Sequence, residues 1–537
     1  MPAHNDPMPV IVQGAALVSF VWTCIIVSVQ GIGICKILRN NSAPHPKPYS
    51  PTLRKDEVPH ITVIRPVKGV EAGLYECLAS TFHLAYPKSK LTIYLCVDST
   101  SDPAYPVLQK VVSAFPDFDA KVLVEEHDPV LHGAGGHIDK LGPNPKIRNI
   151  SRAYREAKGD IIWIADCNVW LGANSAGRMV DKLFGFLPNG ARTTPYKFVH
   201  QLPLVIDLDT PQTATEEEQA LLSGPIDTSA PKSLLDYGGR LEEMFMATTH
   251  AKFYSAINTV GIAPCVVGKS NMFRKSHLER LTDPAQNPLL PPADAARGRG
   301  VDYFSSYICE DHLIGDLIFK SKIEGYKNHG LVHGEVAIQP MSGMTVAAYI
   351  ARRVRWLRVR KWTVLTATLV EPGVESLIGC LHMAFAFTTL PWFRSWFGIP
   401  PTWKAFGTIW ISAVTIWMVV DRLLSAKLHK LQTVDVDENT PAFALGSART
   451  GGIKKKPFLT WFAAWLGREL LAFPIWTWAV LLGATVNWRG QTFRVRPDMS
   501  VTRLDEEERA SSRPPTPLAA NGGTSSGLPG SSKDRVD

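Results

Sequence analysis

The sequence predicts an α/β domain on a parallel-rich sheet, with transmembrane helices at both ends. Three observations carry that reading. Short β-branched runs alternate with helix-like stretches between residues 59 and 362, the pattern of βαβ units. An uncharged apolar run, Val10 to Ile34, exceeds the roughly 20 residues that span a hydrocarbon core. Further apolar stretches crowd residues 363–486. The chain has 537 residues, 45% hydrophobic and 20% charged, which accommodates two or three structural units. That composition excludes a disordered chain, a collagen and a small disulfide scaffold. The net charge is +8, and Lys and Arg gather beside the apolar stretches. A lipid bilayer is therefore the expected partner, and nucleic acid is not. The eight cysteines form no C-x-x-C pair and read as free thiols in a reducing compartment.

Taken in order, residues 10–34 form an N-terminal anchor rather than a cleaved signal peptide, because the run is long and no basic residue precedes it. Lys36, Arg39, Lys47, Arg54 and Lys55 follow it, which places the body of the chain in the cytosol. In the domain at 59–362, Ile61–Arg65, Leu91–Val97 and Ile161–Ala165 read as strands, with helices at Gly73–Phe82 and Pro106–Phe115. The segments Glu125–Asn144, Asp207–Gly239 and Thr282–Gly300 read as surface loops or insertions. The GAGGH piece at Gly133–His137 has a phosphate loop's composition without its strand–turn–helix setting.

Residues 363–486 contain three apolar segments: Val374–Trp392, Phe406–Val420 and Phe458–Val486. Arg468 and Glu469 interrupt the third, which reads either as one span or as an interfacial helix followed by a span. Basic residues flank it on both sides, at Lys454–Lys456 and in the basic segment 487–504. Both flanks prefer the cytosol, so a single crossing conflicts with them, whereas a hairpin or re-entrant path does not. Residues 505–537 have the composition of a disordered tail.

Three groups of residues could carry chemistry. Asp98 and Asp166 each follow a strand directly, at the sheet edge where α/β proteins bind ligands. They suit ribose hydroxyls or a divalent cation on a diphosphate, or simply a turn. Glu310 and Asp311 are adjacent acids in an apolar stretch. Asp311 suits a helix N-cap, or a general base taking the proton from an attacking alcohol. Arg352 and Arg355 share a helix face next to Trp356. They could neutralise a leaving diphosphate, or touch anionic lipid beside the membrane.

The ordered set Asp98, Asp166, Glu310-Asp311 and Arg352-x-x-Arg355-Trp356, flanked by membrane segments, resembles the ceramide glucosyltransferase family. PVKGVE at Pro66–Glu71, NPKIRNI at Asn144–Ile150 and DIIWIADCNV at Asp160–Val169 are similar to that family's segments. So are TTHAKFYSA at Thr248–Ala256, VVGKSNMFRK at Val266–Lys275 and NWRGQTFRVR at Asn487–Arg496. The resemblance implies a GT-A catalytic domain and inverting transfer of glucose from UDP-glucose to the primary hydroxyl of ceramide. It implies Asp311 as the base, Asp98 and Lys146 near the nucleotide, and Asp166 near the diphosphate and a metal. Glu310, Arg352, Arg355 and Trp356 would complete the substrate site, in a Golgi membrane with the catalytic domain facing the cytosol.

Two positions depart from the family pattern. Ser99 follows Asp98, so Asp98 or Asp102 fills the first acidic motif, with Asp98 preferred. Asp166-Cys167-Asn168 carries one carboxylate, so either a loosely held magnesium or manganese ion or no ion is compatible. The rival readings are a processive membrane β-glycan synthase, a dolichyl-phosphate sugar synthase and a catalytically inactive membrane scaffold.

Overall fold

The computed structural model describes residues 9–133, 141–208, 236–488 and 491–504. Most of the GAGGH piece, most of the insertion at 207–239 and the tail from 505 lie outside the described residues. The three expected strands form, as β1 (Ile61–Pro66), β2 (Leu91–Val97) and β4 (Ile161–Ala165). They are joined by β3 (Asp119–Val124), β5 (Tyr196–Asp207), β6 (Ser270–Arg274) and β7 (Lys327–Met341). The sheet order is β3-β2-β1-β4-β6-β5-β7. Only β6 runs antiparallel to its neighbours; the other pairings are parallel.

Every residue of β1, β2 and β4 is buried. Helices cover both faces, so these strands read as unbroken apolar runs rather than alternating ones. On one face Leu74, Leu78, Leu108, Met179 and Leu183 pack over the sheet. On the other, Ile147, Ile150, Leu278, Leu313 and Ile318 do so. The chain leaves β1 for β2 and β3, then returns to β4 on the opposite side of β1. That reversal makes the crevice beyond β1 and β4 the expected ligand site of such a sheet.

Two helices among the described residues are long and apolar enough to cross a membrane, Val10–Asn40 and Trp403–Leu428. The helices Leu365–Val374 and Ser376–Thr389 add a third crossing if taken together as one span bent by 76°. The inner end of this bundle meets the sheet, where Ile37, Leu424 and Leu428 pack with Leu202 and Leu204. At the other end Ala16 packs with Ala386 and Leu390. There Trp396, Phe397 and Trp403 are exposed, as aromatic side chains at a membrane–water boundary would be. The helix Ala251–Val260, between β5 and β6, lies against the N-terminal helix. Contact is so close that a Cβ at Gly33 would sit 2.0 Å from the Lys252 carbonyl oxygen.

The third apolar segment forms the helix Phe458–Val480. Just before it, Lys456 Nζ lies 2.7 Å from Glu243 Oε2 of the sheet domain. Just after it, β8 (Thr485–Trp488), β9 (Gln491–Val495) and β10 (Val501–Arg503) form a small antiparallel sheet. That sheet docks on the same domain, with the Val501 amide donating to the Ser306 carbonyl at 2.9 Å. The segments flanking the helix on both sides therefore contact one body, as a hairpin or re-entrant path allows.

Candidate active site

The turn after β4 is fixed from beneath. Arg65, fully buried on β1, donates to the carbonyls of Cys167 at 3.2 Å and Val169 at 2.6 Å. The Asp166 amide donates to the Lys269 carbonyl at 3.1 Å. A second element brings the lysine. Asn144 caps the helix Pro145–Arg155, its Oδ1 accepting from the amides of Lys146 at 2.8 Å and Ile147 at 3.1 Å. Pro145 occupies the first turn, where its missing N–H costs nothing. The Asn144 Nδ2 group donates to Glu310 Oε2 at 2.9 Å. One side chain thus ties the lysine helix to the helix Glu310–Lys320. Asn144 itself is buried, although the sequence placed it at the end of a surface loop.

Lys146 Nζ lies 3.2 Å from Asp166 Oδ1 and 3.2 Å from Glu310 Oε1. Lys269 Nζ lies 3.0 Å from Asp166 Oδ2 and 3.2 Å from Asn168 Oδ1. The Asn168 amide donates to Glu71 of the PVKGVE segment. Asp311 belongs to the same cluster. A Cβ at Gly268 would lie 2.9 Å from Asp311 Oδ2 and 3.2 Å from Lys146 Nζ, so only a glycine passes there without displacing them. The N-cap position is Cys309, with no side-chain cap bond, so Asp311 is not the cap of its helix.

The charges set the protonation states. Burial alone would lower the Lys146 pKa, but Asp166, Glu310 and Asp311 raise it, and the ammonium persists. Burial raises the Asp166 pKa, yet Lys146 and Lys269 outweigh it and hold the carboxyl well below the usual range. Glu310 and Asp311 go the other way. Burial raises both, Lys146 opposes, and a further carboxylate adds to the rise: Asp311 for Glu310, Asp166 for Asp311. The site thus separates a permanently ionised acid from a pair poised to accept a proton.

The first acidic motif divides. Asp102 is buried and accepts from the amides of Gly69 at 3.0 Å and Ala104 at 2.9 Å, a turn-holding role. Asp98 is half-exposed, with Lys68 Nζ 2.5 Å from its Oδ2. Among the described residues its buried Oδ1 has no hydrogen-bond partner, an acceptor open to a ligand donor.

The helix Val346–Arg360 carries the basic motif. Arg352 Nε donates to the buried Glu242 at 2.9 Å, and its guanidinium stacks 4.7 Å from the Trp356 ring. Trp356 packs on Val205, Phe245 and Met341. Arg355 is part-exposed on the same helix. This motif and the acid cluster occupy different neighbourhoods, joined at the helix's end. There Val359 packs near Cys309 and Leu313, and Thr363 Oγ1 lies 3.6 Å from Cys309 Sγ. The structure therefore unites Lys146, Asp166, Glu310 and Asp311, while Asp98 stands with Lys68 and Arg352 with Glu242 and Trp356, outside that cluster. Sequence reasoning missed Lys269, Asn144 and Glu242. Each stands within or beside a recognised segment, but nothing local marks a lysine or amide that acts across the sheet.

The family model for glycosyl transferase family 21 matches residues 20–186 and 289–501. The chain belongs to glycosyl transferase family 21. A relative in this family, from Pyricularia oryzae, is a ceramide glucosyltransferase 56% identical over 93% of this chain and 96% of its own. A second, from Gibberella zeae, is a ceramide glucosyltransferase 48% identical over 96% of this chain and 98% of its own. Among solved structures, a mannosyltransferase from Pyrobaculum calidifontis in complex with GDP-Man and Mn2+ is 17% identical. It covers 78% of this chain and 98% of its own, with a TM-score of 0.36. In this family 21 chain Asp98 and Asp166 directly follow the carboxyl ends of β2 and β4, which both pair in parallel with β1.

The expected magnesium or manganese ion turns on the donor set around Asp166. Among the described residues no group of three His, Cys, Asp or Glu is arranged to hold a metal ion. Asp166 is the one acid of its motif, and both its oxygens face ammonium groups. The Asn168 oxygen, the motif's other donor, faces Lys269 as well. These residues fit a lysine cation rather than a divalent metal.

Proposed function

We propose that this protein transfers glucose from UDP-glucose to the primary hydroxyl of ceramide, with inversion, forming glucosylceramide. One observation carries the reading: a pair of raised-pKa carboxyls, Glu310 buried and Asp311 half-buried, gathered with Lys146 and Asp166 at the sheet edge of a family 21 domain packed against membrane-length helices. UDP-glucose dissolves in water and ceramide in the bilayer, so their reaction needs such a water-facing site held at the lipid boundary.

The step is one in-line displacement. The ceramide oxygen attacks the glucose anomeric carbon and loses its proton to Asp311. The bond from that carbon to the diphosphate breaks, and UDP leaves with the electron pair and one more negative charge. Lys146 faces that charge, helped by Arg352 and Arg355, while Asp98 holds the nucleoside and Trp356 lines the acceptor side. Glu310 keeps Lys146 in place through its 3.2 Å contact. The proposed location is the Golgi membrane, with the catalytic domain in the cytosol.

Membranes containing the protein, offered labelled UDP-glucose with ceramide, a sterol or no lipid, test this directly. Glucosylceramide formed only with ceramide is the expected result. A polymer without added lipid would instead support a β-glycan synthase, and no product from any acceptor would support an inactive scaffold.

A further inference from the structure

The Asp166-Cys167-Asn168 turn presents two oxygens, one from each end of a three-residue motif, in the way a pair of acids would grip a metal. The Lys269 ammonium lies between them, 3.0 Å from Asp166 Oδ2 and 3.2 Å from Asn168 Oδ1. Three features fix it there. Lys269 immediately precedes β6, whose Ser270 is in register with Ala165 at the end of β4. The Lys269 carbonyl accepts from the Asp166 amide, so backbone and side chain grip the same turn. Both Lys269 and Asn168 are buried, and Asn168 is oriented by donating its amide to Glu71. Lys146 contacts the other Asp166 oxygen at 3.2 Å. Two ammonium groups carry the same total charge as one divalent ion.

We propose that Lys269, with Lys146, is the built-in cation for the donor's diphosphate, standing where a metal would otherwise bridge the acidic motif and the phosphates. The inference rests on the donor being a nucleoside-diphosphate sugar. When the bond to the sugar breaks, the new negative charge on the leaving diphosphate falls beside fixed ammonium groups instead of a bound ion. Asn168 matters to this design: a second carboxylate there would hold Lys269 more firmly and favour a metal, whereas an amide leaves the ammonium charge available to phosphate.

The test uses the full-length protein in lipid nanodiscs and reads three quantities. These are UDP affinity by calorimetry in EDTA, Mn2+ binding by electron paramagnetic resonance, and glucosyl transfer. In the wild type, UDP affinity and transfer survive EDTA, and UDP does not recruit Mn2+. In Lys269→Met, UDP affinity in EDTA falls at least tenfold, and Mn2+ with UDP now binds at the vacated oxygens. Lys269→Arg keeps most of the affinity, which a purely structural requirement for lysine would not allow. Loss of wild-type UDP binding in EDTA, with restoration by Mn2+, would overturn the inference while leaving the donor assignment intact. So would Lys269→Met protein that binds UDP in EDTA as the wild type does. If Lys269→Met fails to fold, the wild-type EDTA result and Lys269→Arg decide. UDP binding requires no acceptor, so a failure of ceramide as acceptor leaves the result readable. A wild type that binds neither UDP nor UDP-glucose overturns the donor assignment and this inference together.

Discussion

At the residue scale, the site divides its labour by environment. Asp166 faces two lysines and stays ionised, while burial raises Glu310 and Asp311. A base must be deprotonated to work. Activity should therefore fall with decreasing pH through a limb lying above the value of about 4 for a solvated aspartate. Lys146 lowers both carboxyls, so Lys146→Met should push that limb to higher pH; a kcat/KM profile of both proteins decides. Asp311→Asn should reduce transfer by about a hundredfold or more, the usual contribution of a general base, with protein level and UDP affinity unchanged. Retained transfer would remove Asp311 from that role. Asp98, Asp166 and Asp311 were legible because an acid directly after an apolar strand, or two acids in an apolar run, is conspicuous. The sequence already preferred Asp98 to Asp102, and the structure adds that Asp102 holds the Gly69 turn. Lys269 was invisible as a site residue, because its partners lie about a hundred residues away in sequence and meet it only across the β4–β6 pairing.

At the element scale, single side chains join helices that have no other reason to meet at the site. Asn144 caps one helix and holds the carboxyl that begins another. Asn144→Ala should cost about 0.5–2 kcal/mol from the lost cap. It should also weaken UDP binding, because Lys146 and Glu310 lose their common anchor; a melting curve paired with a UDP titration reads both. In the membrane-side layer, Arg468 donates to Glu375 at 2.7 Å and pairs with Glu469, all of them buried. Removing one member strands the others. Arg468→Met should destabilise the detergent-solubilised protein by about 3–5 kcal/mol, read as a lowered unfolding temperature. The strands were legible because full burial makes them continuous apolar runs. The paths of the C-terminal apolar segments were not, because hydropathy reports what a helix touches and not where its ends go.

At the scale of the whole molecule, the helix Phe458–Val480 is the instructive case. The segments on its two sides contact one domain, Lys456 at Glu243 and Val501 at Ser306, so the helix does not separate its flanks. Cysteines introduced at Lys455 and Pro497, in a background freed of the native exposed cysteines, should both react with an impermeant reagent applied from the side of the catalytic domain. Reaction of only one from that side would mean that the helix crosses the bilayer. The small sheet that follows braces the Ser305–Ile308 segment just ahead of Glu310, which ties the chain's far end to the site.

Composition and pattern alone predicted a parallel-rich α/β domain with membrane-length apolar segments and singled out the acids and the R-x-x-R-W helix, while Lys146 came from the family resemblance. Those features are local: an apolar run, a strand end and a motif each announce themselves within a few residues. The tertiary structure decided which charges meet, that Asp102 serves a turn, that Lys269 sits between the oxygens of the acidic motif, and that the last apolar helix comes back to its own domain. These depend on strand order and on helix ends, which bring together residues far apart in sequence, and no window along the chain contains both partners.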